Sequence, residues 1–363
     1  MSSPVPRDCF AHLYIDARSK FQEAASAASA SMAAYVLPGL SGAQGEVLSM
    51  DVAYLGAEDA ESLLIVSSGT HGVEGFCGSA CQVALMRDAG VRALLAARRV
   101  ACLLIHGVNP YGFSHLRRVN EDNIDLNRNF RGPDDLVLDN PGYDQLHELL
   151  LPASWPASVE NAAALQRYQD EHGYAAFREA VTTGQTSHPG GLFYGGYAPS
   201  WSNRSLRAIL RIYGAQRRRI AWIDVHTGLG PYGHGEKIHG GLPGAVDNLA
   251  LTRRVWGSDV VAAWADDSVS RQVKGHALGA IFDECPHSQN VGIALEFGTR
   301  LPTSLSAMRA EQWYHLRPAL AGTREQVSAK RALRDAFFID EDTWMAMVLA
   351  QSRTAVIQAC RGL

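Results

Sequence analysis

The sequence predicts an α/β fold, a mixed and mostly parallel central sheet flanked by helices. Two observations carry that prediction. Short aliphatic or β-branched runs with few charges recur along the chain, as strands covered on both faces require, and amphipathic stretches separate them. Each run also ends in a polar, glycine-containing turn. With 363 residues, 47% of them hydrophobic, the chain can bury a sizeable core, and we read residues 1–363 as a single α/β domain.

The elements follow in order. An Ala/Ser-rich stretch near Ala24–Ala34 reads as helix. Ser62–Ser67 (SLLIVS) is the first buried strand, followed by a helix over about Gly78–Asp88, and Arg99–His106 (RVACLLIH) is the second. From about 131 to 203 the composition changes to Pro, Gly and Asp around a helical stretch near Ser158–Glu179, which reads as an insertion shaping a site. Ile220–His226 (IAWIDVH) and Gly292–Phe297 (GIALEF) are the third and fourth buried strands. Helices are expected over about Ala245–Ala265 and Thr303–Ala321, the latter opening a helical C-terminal part at 303–363.

Charge narrows the partners. Lys plus Arg number 33 against 37 Asp plus Glu, a net charge of −4, which gives no basic footprint for nucleic acid and no polybasic membrane signal. A small peptide or small molecule is the expected partner. The N-terminal MSSPVPRDCFAHLYIDAR lacks the apolar stretch of a secretory signal, and no segment reaches a membrane span, so a cytoplasmic location is expected. Six scattered cysteines, at 9, 77, 81, 102, 285 and 360, read as free thiols of a reducing compartment. Cys77 and Cys81 share the i, i+4 spacing of a helix face, where burial is favoured over metal binding.

Chemistry gathers at the strand ends. Gly69-Thr70-His71-Gly72-Val73-Glu74-Gly75 sets an imidazole and a carboxylate three residues apart in a turn ahead of a helix, where both can converge on one ion. Taken alone, His71 reads equally as a polar turn residue and Glu74 as an acid favoured by the helix dipole. Ile223-Asp224-Val225-His226 places a histidine at the end of the third run, with Asp224 on the same side. Open α/β sheets bind ligands at the carboxyl ends of their strands, the edge that all three residues share. Glu296 is a lone carboxylate in an apolar run, costly to bury unless it faces a cleft where a raised pKa lets it exchange a proton near neutral pH.

Between these lie Asn109-Pro110-Tyr111-Gly112-Phe113, Arg117-Arg118-Val119-Asn120 and Asp125-Leu126-Asn127-Arg128-Asn129-Phe130. With the His–x–x–Glu turn before them and the third ligand after, this order resembles the zinc metallocarboxypeptidase family over roughly Ser62–Arg300. The resemblance implies a zinc carboxypeptidase-like catalytic domain in which His71, Glu74 and His226 bind Zn2+ and Glu296 is the general acid/base. It further implies that Asp125 accepts the second ring N–H of His71 and that Arg118, with Arg117 as the alternative, stabilises the oxyanion. Asn127 and Arg128 would bind a substrate carboxylate. The activity implied is hydrolysis of an amide bond beside a free carboxylate, in a small peptide or amino-acid conjugate.

One departure is visible: Gln272-Val273-Lys274-Gly275-His276-Ala277 has no tyrosine where pancreatic relatives carry a mobile one, so either Lys274 and His276 substitute or the role is absent. The glycine-rich 228–235 after His226 also differs, and reads either as a lining of the specificity pocket or as a plain loop. Two other readings stand beside the peptidase. An N-acyl-amino-acid deacylase of the aspartoacylase/succinylglutamate desuccinylase type shares the zinc site, and a binding module could keep the fold without catalysis.

Overall fold

The computed structural model describes residues 6–241, 245–265, 268–269, 273–300 and 303–363. Its centre is an eight-stranded sheet of β1 (Ser31–Ser41), β2 (Val47–Leu55), β3 (Ser62–Ser68), β4 (Val100–His106), β5 (Arg219–Thr227), β6 (Gly235–His239), β7 (Val261–Ala262) and β8 (Gln289–Phe297). The order is β1-β2-β4-β3-β5-β8-β6-β7. The four inner strands β4, β3, β5 and β8 run parallel, while antiparallel pairs join β1 to β2, β2 to β4 and β8 to β6. These inner strands are the four runs expected from sequence.

Both faces of the sheet are covered. Leu64 and Val66 pack into one core with Phe21, Phe76, Trp256 and Trp344, while Leu63 and Ile65 pack into the other with Leu206, Ile209 and Trp222. Strand alternation divides consecutive apolar residues between the two layers, and for this reason the inner strands lack a polar face.

Several element limits differ from expectation. The helix expected near Ala24–Ala34 is Tyr14–Ala27, because Ser29 turns left-handed (φ 57°) and β1 begins at Ser31. The helix after β3 begins at Gly75 rather than Gly78. The stretch near Ser158–Glu179 is two helices, Val159–His172 and Tyr174–Thr182, broken at Gly173 (φ 85°). Val246–Trp256 stops short of Ala265 at Gly257, and the following residues form β7. Thr303–His315 ends before a short 3-10 turn at Pro318–Leu320, and helices Arg324–Phe337 and Asp342–Gly362 complete the C-terminal part. Among the described residues no helix is long and apolar enough to cross a membrane, and all six cysteines are buried free thiols.

Residues 131–203 hold helices Pro141–Leu150, Val159–His172 and Tyr174–Thr182, which share an apolar cluster of Tyr143, Leu146, Phe177 and Phe193. Leu305 and Met308 from helix Thr303–His315 pack against it. The insertion thus leans on the C-terminal helices across the carboxyl edge of the sheet.

Candidate metal centre

Two elements deliver the ligands. Glu74 ends the 3-10 turn Gly72–Glu74 between β3 and the helix Gly75–Arg87, His71 caps the start of that turn, and His226 comes from the end of β5. The turn sits tightly against Asn109–Phe113: a Cβ on Gly72 would lie 2.1 Å from the Gly112 carbonyl carbon, so glycine alone allows this approach. Backbone N–H groups of Gly72 and Val73 donate to the carbonyls of Arg118 and Arg117, at 3.1 and 2.9 Å. His71, Glu74 and His226 consequently bring three donor atoms within 4.8 Å of one another.

The surrounding bonds orient each ligand. Nδ1 of His71 lies 2.9 Å from Glu74 Oε1, and Nδ1 of His226 lies 2.8 Å from Glu74 Oε2. The far nitrogens face other carboxylates: His71 Nε2 is 3.2 Å from Asp125 Oδ1, and His226 Nε2 is 2.7 Å from Asp224 Oδ2. Asp224 is itself held by the hydroxyls of Ser67 (2.6 Å) and Thr70 (3.0 Å). With a cation between them and Glu74, two neutral imidazoles whose Nε2–H groups donate to carboxylates would present both Nδ1 lone pairs beside the ionised Glu74, the donor set that zinc uses.

Arg118 Nη2 also lies 2.8 Å from His71 Nε2 and requires a lone pair there, whereas Asp125 requires a proton. Both demands cannot hold at once; a cation on Nδ1 would place the proton on Nε2 and select Asp125.

Electrostatics follow the same lines. Burial opposes ionisation of Glu74, but the two imidazoles outweigh it and hold the carboxyl well below its ordinary value. Burial likewise opposes the charge on Asp125, and Arg118 followed by His71 overcomes it. For His226 burial is outweighed by Asp224 and then Glu74, so it gains a proton that a bound cation would displace. Glu296 goes the other way: burial first, and the Glu74 charge next, push its carboxyl up to about 8. Its strand position pairs it with His226 across β5 and β8, and the Leu229 N–H donates to its Oε1 at 3.1 Å.

The residues expected at the site do not all meet. His71, Glu74, Arg118, Asn127, Arg128, His226 and Glu296 line one cavity of about 230 Å³. Arg118 donates to Asp125 (3.0 Å) and Glu74 (3.1 Å). Arg117 is fully buried elsewhere, donating to Glu311 (3.1 Å), Gln312 (2.6 Å) and Asn123 (3.1 Å). The structure therefore separates the two arginines and keeps only Arg118 at the cavity. Asn127 Oδ1 accepts from the Ala277 N–H at 2.9 Å. Arg128 donates to the Thr182 carbonyl (3.1 Å from Nε) and the Asn127 carbonyl (3.0 Å), and burial pulls it down to about 10. Lys274 is exposed beside Asp135 (3.4 Å), His276 lines a neighbouring chamber, and Gln272 lies outside the described residues.

Sequence reasoning missed the orienting role of Asp224, whose signal was its place two residues before His226 on a strand. It also missed the apolar wall of Phe177, Val181, Phe193, Met308 and Phe337, which comes from segments distant in the chain. The 228–235 segment is neither of the two options alone, since Leu229 lines the cavity and supports Glu296.

A family model described as protein of unknown function (DUF2817) matches residues 10–351. The chain belongs to this family. Among curated proteins none matches the sequence. Among solved structures, this DUF2817 member is similar to carboxypeptidase A from Helicoverpa armigera, at 14% identity and TM-score 0.43, with 89% of this chain and 73% of that one covered. It is also similar to bovine thrombin-activatable fibrinolysis inhibitor in complex with tick carboxypeptidase inhibitor, at 11% identity and TM-score 0.43, covering 94% and 98%. A third similar chain, from Shewanella frigidimarina NCIMB 400, is provisionally assigned as a succinylglutamate desuccinylase/aspartoacylase; identity is 17%, TM-score 0.35, and coverage 82% and 72%.

Proposed function

We propose that this protein is a zinc-dependent hydrolase that cleaves an amide bond next to a free carboxylate in a small peptide or acylated amino acid. The observation that carries the reading is the convergence of His71, Glu74 and His226 within 4.8 Å, with Arg118 and Glu296 on the same cavity. When bound, such a cation polarises a carbonyl and lowers the pKa of water toward about 7.

The chain's own residues supply the rest. Glu296 takes the proton of the attacking water and returns it to the leaving amine, a task suited to a carboxyl held near neutral pH. Arg118 presents its guanidinium to the developing oxyanion, a charge whose removal typically costs about two to three orders of magnitude in rate. Asn127 and Arg128 hold the substrate carboxylate: Arg128 lines the cavity with carbonyl partners only, and two of its five N–H donors remain for an anion. The apolar wall accommodates an acyl group or an apolar side chain, so peptidase and deacylase variants of the reaction share this site.

Purified protein should contain one transition metal per chain, predominantly zinc. It should hydrolyse members of a panel of C-terminally varied peptides and N-acyl amino acids. Chelation should abolish turnover and zinc restore it, and amidating the substrate carboxylate should lower kcat/KM by more than about 30-fold. Activity that persists after exhaustive chelation overturns the reading.

A further inference from the structure

Phe193 belongs to the 131–203 insertion, yet its ring meets both arginines of the cavity. The Cζ atom of Arg118 stands over the ring 5.3 Å from its centroid, and that of Arg128 stands over it at 5.5 Å. Both distances fall inside the roughly 6 Å over which the negative face of an aromatic ring attracts a cation. The ring is itself buried and lines the same cavity as the two guanidinium groups.

The backbone here is unusual. Phe193 has φ 53°, a left-handed conformation that an aromatic residue adopts only where its surroundings impose it. They do so from both ends. The Leu192 N–H donates to Tyr143 Oη (2.6 Å) and the Gln185 N–H to the Phe193 carbonyl (3.2 Å), both within the insertion. From the other side, the Asp125 N–H donates to the Tyr194 carbonyl (2.8 Å), which ties the next residue to the loop that carries Arg118 and Arg128. A plug for the apolar cluster of Tyr143, Leu146 and Phe177 needs neither an aromatic ring nor this backbone; a platform for two cations needs the ring.

Hydrogen bonds fix each arginine in part. Arg118 is held by Asp125 and Glu74, and Arg128 by the Thr182 and Asn127 carbonyls, with N–H groups to spare on both for a ligand. The insertion also presses on Arg128 directly, since a Cβ on Gly184 would lie 2.6 Å from its Cδ. Burial and, against the pull of Asp125, the charge of Arg118 both disfavour the cation at Arg128. The electron density of a shared ring offsets part of that repulsion and of the lost hydration.

We propose that Phe193 is a positioning residue for the hydrolysis proposed above: its ring holds the guanidinium of Arg118 for the oxyanion and that of Arg128 for the substrate carboxylate. The inference rests on that reading and makes the insertion part of the reaction apparatus rather than a lining alone.

The test replaces Phe193 in the zinc-loaded enzyme with mono-, di- and trifluorinated phenylalanine, which keep the ring's shape while withdrawing electron density from its face. The substrates are the fastest member of the peptide and acyl-amino-acid panel and its C-terminal amide, and calorimetry follows N-acetylleucine as a carboxylate probe. The dissociation constant of N-acetylleucine should rise in steps with each fluorine, reaching roughly 5- to 30-fold for the trifluorinated ring. The acid/amide ratio of kcat/KM should fall in parallel, and kcat on the amide, which offers no carboxylate to Arg128, should fall through Arg118 alone. In an Arg128→Met background the acid/amide ratio should no longer respond to fluorine, because the cation that read the ring has gone. Phe193→Leu, checked for folding by urea denaturation, should exceed the trifluorinated loss.

A flat fluorine series overturns the role, even if Phe193→Leu is impaired, because apolar packing is indifferent to the ring's electron density. That outcome leaves the hydrolase reading intact wherever the panel is hydrolysed. If no panel member is hydrolysed but N-acetylleucine binding weakens stepwise, the reaction is refuted and the hold of Phe193 on the arginines stands. Absence of both hydrolysis and carboxylate binding overturns the two together.

Discussion

At the residue scale, Glu296 shows how function opposes stability. Burial and the Glu74 charge push its carboxyl up to about 8, against 4.5 for the free group. The native chain then retains a proton that the unfolded chain releases, so between pH 4.5 and about 8 native stability falls as pH rises. Near pH 7 this amounts to roughly 3 kcal/mol in the chelated protein. Glu296→Gln carries no such proton and should therefore unfold at higher urea than wild type at pH 7, once metal is removed from both. The same variant should keep its zinc stoichiometry and lose two to four orders of magnitude in kcat. A variant that loses its metal, or that gains no stability when chelated, would show that Glu296 is neither isolated from the ligand set nor held protonated. The lone glutamate in an apolar run was legible in the sequence. The Leu229 N–H that supports it was not, because a backbone donor leaves no residue signature.

At the element scale, the two neighbouring arginines have opposite duties. Arg117 ties the loop after Asn109–Phe113 to helix Thr303–His315 through Glu311, which Lys330 also contacts at 2.9 Å. The backbone of this same pair holds the ligand turn. Removing one partner of a buried ion pair typically costs about 3–5 kcal/mol, so Arg117→Met should lower urea stability by that order. Arg118→Met also leaves the buried charges of Asp125 and Glu74 without their guanidinium and should lose stability too. It should in addition lose about two to three orders of magnitude in turnover, and an equal loss of turnover in folded Arg117→Met would contradict this division of labour. Sequence alone could not separate them, since adjacent arginines in a loop have no periodicity to say which faces inward. Periodicity did reveal the four inner strands, which are apolar on both sides. It missed β1, mostly exposed along its length, β2, whose buried Ser49 and Asp51 interrupt the apolar pattern, and β6, five residues carrying Glu236 and Lys237.

At the scale of the whole molecule, the site exists because β3, β5 and β8 lie side by side and parallel, so residues far apart in the chain emerge at one edge. Strand order was not legible in the sequence, although the ligand pattern required those ends to meet. The neighbouring strand β4 ends in His106, which is fully buried: its ring packs 4.7 Å from Phe21 and its Nε2 lies 3.0 Å from Ser79 Oγ. Burial outweighs the pull of Asp51 and lowers this histidine from 6.5 to about 4. A depressed histidine contributes stability that is fully present above about pH 6.5 and is lost as pH falls toward 4, because the unfolded chain takes up the proton first. The loss approaches about 1.4 kcal/mol per pH unit, or roughly 3 kcal/mol across the window. Urea denaturation of the chelated protein at several pH values from 7 to 4.5 should therefore give a shallower slope of stability against pH for His106→Gln than for wild type. The absolute stability of the variant is immaterial, since the comparison is between slopes and every other titrating group is common to both. Parallel slopes would mean that His106 is protonated in the folded state, and that the acid sensitivity of the protein arises elsewhere in its core.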